Sequence, residues 1–278
     1  MRTILHLSDL HFNKIDPRKA AALVEAAHGL APDLVVVSGD LTQRARARQF
    51  MAARHFLDQL PRPQLVVPGN HDIPTWNMWG RLTEPMTHYR QYISSDLEPT
   101  YSDGELIVVG VNTTRVLTSK YGRINQLQIQ AVADHLRQSG EAVTKMIVAH
   151  HPFDVPANDN QKDLVGRSVL AMDTFARCGV DLLLGGHLHR ANINGTAQRY
   201  RIRGHSALVV QAGTAISGRL RGETNSWNML RIYPATAESP RRIEITPYVW
   251  NGCTHFTAAG MRAFGHTADG WIEANGHY

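Results

Sequence analysis

The chain has 278 residues, 43% of them hydrophobic and 19% charged, with a net charge of +5. This balance suits a soluble globular protein of one large domain, and no stretch approaches the eighteen or so unbroken apolar residues of a membrane helix. With only Cys178 and Cys253 present, a disulfide framework is not expected and a reducing cytoplasm fits.

Arg2 to Leu7 reads as a first strand and runs into Ser8-Asp9-Leu10-His11. Because candidate ligands begin at Asp9, no cleaved signal peptide is expected before them, and a cytoplasmic location follows. Asp16 and Pro17 read as an N-cap and first helical residue; Ala20, Leu23, Val24 and Ala27 form the apolar stripe, and Gly29 is the expected stop. Leu34 to Val37 is an unbroken apolar run, followed by Ser38 and Gly39-Asp40, as a short strand buried on both faces would be. The basic run Arg44 to Arg48 reads as the solvated start of a helix, so neither a nucleic-acid nor a membrane partner is expected. Phe50, Ala53, Leu57 and Leu60 continue that helix, and Gln64 to Val67 is a third strand entering Pro68-Gly-Asn-His-Asp72. The period near thirty residues is that of a βαβ unit and predicts parallel strands with ligands along one rim.

Residues 73–100 are irregular and aromatic. Leu106 to Val111 is a strand, and Asn125 caps a helix with Ile129, Val132, Ala133 and Leu136 on one face. Lys145 to Ala149 is a strand ending in His150-His151-Pro152. A helix with Val165, Val169, Met172 and Ala176 inward leads to the strand Val180 to Leu184, which ends in Gly185-Gly-His-Leu-His189. Leu208 to Gln211, Trp227 to Tyr233 and Arg242 to Trp250 follow without intervening helices and suggest a second sheet of antiparallel character. The segment 251–278 has no pattern that assigns it a structure.

Five segments thus end in metal-type ligands: Asp9-x-His11, Gly39-Asp40, Gly69-Asn70-His71-Asp72, His150, and Gly186-His187-x-His189. In extended backbone a spacing of two points both side chains of a pair to one side. Carboxylate, amide oxygen and imidazole together suit Zn, Mn or Fe(II), and the absence of a cysteine ligand argues against a structural zinc. Each block alone is weak; their joint occurrence, each after an apolar strand, carries the weight.

These blocks resemble the signature of the calcineurin-like metallophosphoesterases: D-x-H, G-D, G-N-H-(D/E), H and G-H-x-H, all present from Asp9 to His189. The resemblance implies an α/β fold, a four-layer αββα sandwich of two mixed β-sheets with a dinuclear metal centre at the strands' carboxyl ends. A single domain over 1–250 is expected, and the composition of the C-terminal tail over 251–278 suggests that it packs on the domain or at the interface of a homo-oligomer such as a dimer. By position the resemblance places Asp9, His11, Asp40 and His189 around one divalent ion, and Asp40, Asn70, His150 and His187 around the other, with Asp40 bridging. Two such cations about 4 Å apart lower the pKa of a shared water and neutralise charge on a phosphate during in-line attack. His71 is then the residue that stabilises the transition state or protonates the leaving oxygen. Asp72 and His151 are expected to support the ligands without binding metal.

Departures narrow the branch. Gln43 stands where purple acid phosphatases carry tyrosine, G-D-L-T-Q-R-A replaces the protein-phosphatase block, and His71 stands where lipid A pathway pyrophosphohydrolases carry arginine. The remaining text, including Tyr121 to Leu127, resembles class III cyclic nucleotide phosphodiesterases and bacterial glycerophosphodiesterases. Phe153, where many relatives have a second proline, bears on pocket shape. Trp76 and Trp79 are candidates to stack on a nucleobase, Asn112 and Arg115 to line the cleft, and Arg219 and Arg221 to contact phosphate. The leading expectation is a phosphodiesterase acting on a small, cyclic nucleotide-like phosphodiester. A glycerophosphodiester or phospholipid headgroup hydrolase, a phosphomonoesterase and a non-catalytic scaffold stay open.

Overall fold

The computed structural model describes residues 1–75, 77–156 and 159–274. β1 (Arg2–Leu7), α1 (Pro17–Leu30), β2 (Leu34–Ser38), α2 (Ala47–Asp58) and β3 (Gln64–Val67) follow one another, and the three strands pair in parallel. Asp16 caps α1 through its side chain, which accepts from the Arg18 amide at 3.0 Å. The helix runs past Gly29, its expected stop, to Ala31 in left-handed backbone. Pro32, without an N–H, is what prevents its continuation.

The aromatic stretch after β3 holds two short helices, α3 (Met78–Thr83) and α4 (Thr87–Tyr92). Then come β4 (Thr100–Ser102), β5 (Leu106–Val111), α5 (Gln126–Arg137) and β6 (Thr144–Ala149). Asn125 and Gln128 cap the start of α5 reciprocally. Next are α6 (Ser168–Arg177), β7 (Leu182–Gly185), β8 (Asn192–Gly195), α7 (Ala197–Tyr200) and β9 (Leu208–Gln211). α6 begins later than the apolar stripe suggested, because Val165 and Gly166 are tied by backbone bonds to Pro152 and Gly122. Its buried face is therefore Ala171, Met172 and Phe175, and Val169 is 72% exposed. β10 (Ser226–Tyr233), β11 (Arg242–Trp250), β12 (Phe256–Ala258), β13 (Arg262–Thr267) and β14 (Gly270–Glu273) complete the described chain.

Two mixed sheets result. One has the order β14-β13-β11-β10-β1-β2-β3 with β12 beside β11; the other is β4-β5-β6-β7-β9-β8. The late strands do not form a sheet of their own, as their sequence had suggested. β9 runs parallel to β7, while β10 joins the first sheet antiparallel to β1 and β11 pairs antiparallel to β10. The segment after 250 contributes strands to that same sheet as far as Glu273.

Side-chain alternation builds the four layers. Ile4, Leu34, Val36 and Leu65 meet Val108, Met146, Val148 and Leu184 between the sheets. Their neighbours Leu5, Leu7, Val35 and Val37 face Leu23, Phe50 and Leu57 of α1 and α2. Ile107, Val109 and Ile147 face Val132, Met172 and Phe175 of α5 and α6 on the opposite surface. Trp271 of β14 joins the core between the sheets and donates its indole N–H to Asp181, just before β7, at 2.9 Å. Among the described residues no helix is long and apolar enough to cross a membrane.

His6 of β1 is fully buried, with Nε2 3.0 Å from Ser38 Oγ. Burial pushes its pKa down to about 3, against the opposing pull of Asp9. The unfolded chain, with a histidine near 6.5, therefore binds a proton that the native state refuses. This contribution to stability is intact above 6.5 and is lost as pH falls from there towards 3. In urea melts across pH 6 to 4, His6→Gln should flatten the slope of unfolding free energy by up to ~1.4 kcal/mol per pH unit. Equal slopes in the two proteins would show that His6 does not titrate in this way.

Candidate metal centre

The carboxyl ends of β1, β2, β3, β6 and β7 meet at one edge of the sandwich. The loop after β1 is zipped to the loop after β2 by three backbone bonds: Asp9 N–H to Gly39 O at 3.1 Å, His11 N–H to Asp40 O at 2.9 Å and Phe12 N–H to Leu41 O at 2.8 Å. The second sheet is tied on through His150, whose Nδ1 lies 2.8 Å from Ser38 O, and through the His187 amide, which donates to Asp9 Oδ2 at 3.0 Å.

Asp9, His11, Asp40, His187 and His189 all have positive φ, between 47° and 70°. The pairs separated by two residues converge because the chain turns through left-handed backbone, not because a strand alternates as the spacing suggested. Such conformations cost on the order of 1–3 kcal/mol per residue and persist only where the surroundings enforce them. The glycines of the loops are required by close approach. A Cβ on Gly69 would lie 2.2 Å from Asp40 N and Oδ1, and one on Gly186 would lie 1.8 Å from Ser8 Oγ.

Asp9, His11, Asp40 and His189 present ligand-type atoms within 4.8 Å of one another. Asp40 reaches out of this group: Oδ2 is 3.6 Å from His11 Nε2, and Oδ1 is 3.4 Å from His150 Nε2. Beyond it Asn70 Oδ1 sits 3.1 Å from His150 Nε2 and 3.1 Å from His187 Nδ1. One carboxylate is thus common to two clusters.

At Asp40 and His150 the electrostatics favour the charged forms. Burial alone raises the Asp40 pKa, yet His150 and His71 outweigh it and hold the carboxyl well below its ordinary range. Burial likewise lowers His150, but Asp40 outweighs it and lifts the imidazole to about 9. A proton or a metal cation competes for the same lone pair. His189 gives the clearest fit to a cation. Its Nδ1–H donates to Arg219 O at 2.6 Å, so Nε2 turns a lone pair towards Asp9 Oδ1 at 3.2 Å. That oxygen is buried and has no hydrogen-bond donor. Two buried acceptors this close repel one another unless a cation lies between them.

The supporting residues are engaged differently. Asp72 accepts from the amides of Leu41, Thr42 and Gly69 at 3.1, 2.9 and 2.9 Å and from Thr42 Oγ1 at 3.0 Å, so it clamps the Asp40 loop to the Asn70 loop. Burial, then the charge of Asp40, raises its pKa to about 6. His151 lies near enough to His150 and His187 to count as a ligand. Both its nitrogens are occupied, however, with Nδ1 2.8 Å from Thr113 Oγ1 and Nε2 2.9 Å from Lys120 O. His71 uses Nδ1 on Gln43 O at 3.0 Å and receives Arg219 Nη1 on Nε2 at 2.6 Å, and burial pushes its pKa down to about 4.

The clusters open into a cavity of about 480 Å³ whose walls include Arg44, Lys120, Arg219 and Arg221. Arg219 is more central than its sequence position implied, because only the folded loop after β9 brings it to His71. Asn112 and Arg115, expected at the cleft wall, do not line this cavity. The Asn112 side chain accepts from Thr114, and Arg115 donates to Arg123 O at 2.9 Å. Trp76 lies outside the described residues, and Trp79 is 77% exposed and does not line the cavity either. Two supporting groups had no role assigned from the sequence: Ser8 Oγ, which donates to Asp9 at 2.7 Å, and Asp163, paired with Lys120 at 2.6 Å.

A family model described as calcineurin-like phosphoesterase matches residues 2–191. "Glycerophosphodiester phosphodiesterase GpdQ" of Enterobacter lignolyticus is 39% identical over 80 residues, which span 25% of this chain and 29% of that relative. "Probable cyclic nucleotide phosphodiesterase" of Synechococcus sp. is 26% identical over 210 residues, 69% of this chain and 75% of the relative. Among solved structures, a dimetal phosphatase from Danio rerio is 13% identical with a TM-score of 0.64, covering 88% of this chain and 95% of that one. A purple acid phosphatase of yellow lupin is 12% identical with a TM-score of 0.66, covering 94% and 53%. At these identities the structures are alike in fold.

A Cβ at position 186 must displace Ser8 and the carboxylate it orients. Gly186→Ala should therefore lower metal affinity by about 10–100-fold and destabilise the protein by ~1–3 kcal/mol. Metal titration and thermal melts check both; an unchanged metal affinity would show that the close packing of Gly186 on Ser8 is not needed at the site.

Proposed function

The chain belongs to the calcineurin-like phosphoesterase family, whose members use dinuclear metal centres, and from this we propose that it is a metal-dependent phosphodiesterase of small phosphodiesters. The observation that carries the reading is the shared Asp40 carboxylate, one oxygen towards His11 and the other towards His150. In this reading Asp9, His11, Asp40 and His189 hold one divalent cation, and Asp40, Asn70, His150 and His187 hold the other. When bound, such a pair supplies Lewis acidity that makes water a nucleophile near neutral pH and offsets charge on the phosphate.

The chain's own residues do the rest. Arg219, Arg221, Arg44 and Lys120 give the cavity a cationic wall suited to a phosphate group. His71 donates from Nδ1 to Gln43 O and accepts from Arg219 on Nε2. It therefore has no proton to give from Nε2 in this arrangement. Its role is to aim the Arg219 guanidinium, which stabilises negative charge on the phosphate and the departing oxygen. Asp72 keeps Asp40 and Asn70 in mutual register through the loops it joins.

Cyclic nucleotides are the first substrate class, supported by the name of the Synechococcus relative. Glycerophosphodiesters are the second, supported by the relatives named as glycerophosphodiester phosphodiesterases.

With Mn(II) added, the protein should hydrolyse bis-(p-nitrophenyl) phosphate in preference to p-nitrophenyl phosphate, and chelator should abolish both. A preference for the monoester would make it a phosphatase. Asp40→Ala should lose activity together with metal; an active variant holding one ion per chain would refute the shared ligand.

Arg219→Ala should lower kcat by about 10²-fold with metal content unchanged. Combined with His71→Ala it should cost little more than either change alone, because the two act as a unit. Additive losses would separate their roles.

A further inference from the structure

The loop over residues 115–125 lines two cavities. Through Ser119 and Lys120 it forms part of the metal pocket; its residues 115–118, 121–123 and 125 wall a separate cavity of about 720 Å³, completed by Gly166 and Arg167. Three guanidinium groups, Arg115, Arg123 and Arg167, surround this second cavity, and no carboxylate is among the described residues lining it. Burial, then the positive charges of Arg123 and Arg167, pushes the Arg115 guanidinium below its ordinary value. The buried Nε of Arg115 has no hydrogen-bond partner, although its Nη2 donates to Arg123 O at 2.9 Å. Like charges gathered without a counter-charge leave a deficit that an anion would fill.

Val116, Leu117 and Tyr121 give the wall an apolar part, beside Thr118 and Asn125. Leu117 is 89% exposed and Tyr121 38%, and Val116 stands beside them. The framework is firm. Arg81, only 4% exposed, donates to the carbonyls of Arg115, Val116 and Thr118 at 3.3, 2.6 and 2.8 Å. Ile124 N–H to Gly166 O at 3.1 Å and Gly166 N–H to Gly122 O at 2.9 Å stitch the floor. A volume of this size, lined by both guanidinium groups and apolar side chains, suits a small organic phosphate.

We propose that this cavity is a second ligand site, distinct from the metal pocket, for a small phosphate-bearing molecule with an aromatic or apolar body. Arg123 and Arg167 grip the anion, Arg115 Nε donates to it, and Tyr121 and Leu117 cover the body. Nothing in this assignment requires the chain to be a diesterase.

Calorimetric titration of the Mn-loaded full chain with phenylphosphonate, which cannot be hydrolysed at an ester bond, tests it. The double variant Arg123→Ala/Arg167→Ala should bind one phenylphosphonate fewer than the wild type, with turnover of bis-(p-nitrophenyl) phosphate unchanged. Methylphosphonate should be held about tenfold more weakly at the event that the variant removes, since it lacks the ring. Equal stoichiometry in the two proteins overturns the proposal. So does a double variant that loses turnover, since the arginines would then belong to the metal pocket. Because stoichiometry is read without turnover, a protein inactive on diesters leaves this test standing.

Discussion

Two buried carboxylates facing buried imidazoles are the constraint on which the rest of the structure depends. Asp9 and Asp40 are almost wholly out of solvent, where an isolated charge is costly. Their charge is offset by His150 and its neighbours, by amide N–H groups from the loops, and in the proposed enzyme by cations. Asp9 Oδ2 illustrates the division of labour: it accepts from Ser8 and from the His187 amide, while Oδ1 is left to the histidines. The arrangement tolerates little change, because every oxygen already has a role.

The fold satisfies that constraint by bringing two sheets' carboxyl edges together. Parallel strands buried on both faces are stiff supports for the loops that leave them. Left-handed backbone at Asp9, His11, Asp40, His187 and His189 directs the side chains inward, held by the backbone bonds between the first two loops and by Asp72. The ligand-like side chains and the backbone strain therefore occur at the same residues, as expected of a site organised in advance. His71 and Arg219 join this framework from outside it, one from the loop after β3 and the other from the loop after β9.

Much was legible from the chain because its signals are local. A short apolar run followed by glycine and a carboxylate or histidine marks a strand edge, and the boundaries of β1, β2 and β5 follow directly from their apolar runs. The start of α6 was not legible, since two backbone bonds to distant loops decide it. Nor was the path of the late strands: β10 and β11 have the pattern of antiparallel strands, but no pattern says which sheet they join. The strands after residue 250 are short and rich in small residues, and they are held by pairing to β11 and by Trp271 on Asp181.

The chain by itself determined the order and chemical type of the ligand-like residues and the βαβ rhythm that sets them at strand ends, because both depend on neighbours within a few residues. Tertiary structure alone decided that both nitrogens of His151 are occupied. It also decided that Arg219 meets His71, while Asn112 and Arg115 turn away from the cavity. Each of these is a contact between segments far apart in the chain, fixed by which faces of two sheets pack together, and no local periodicity encodes it.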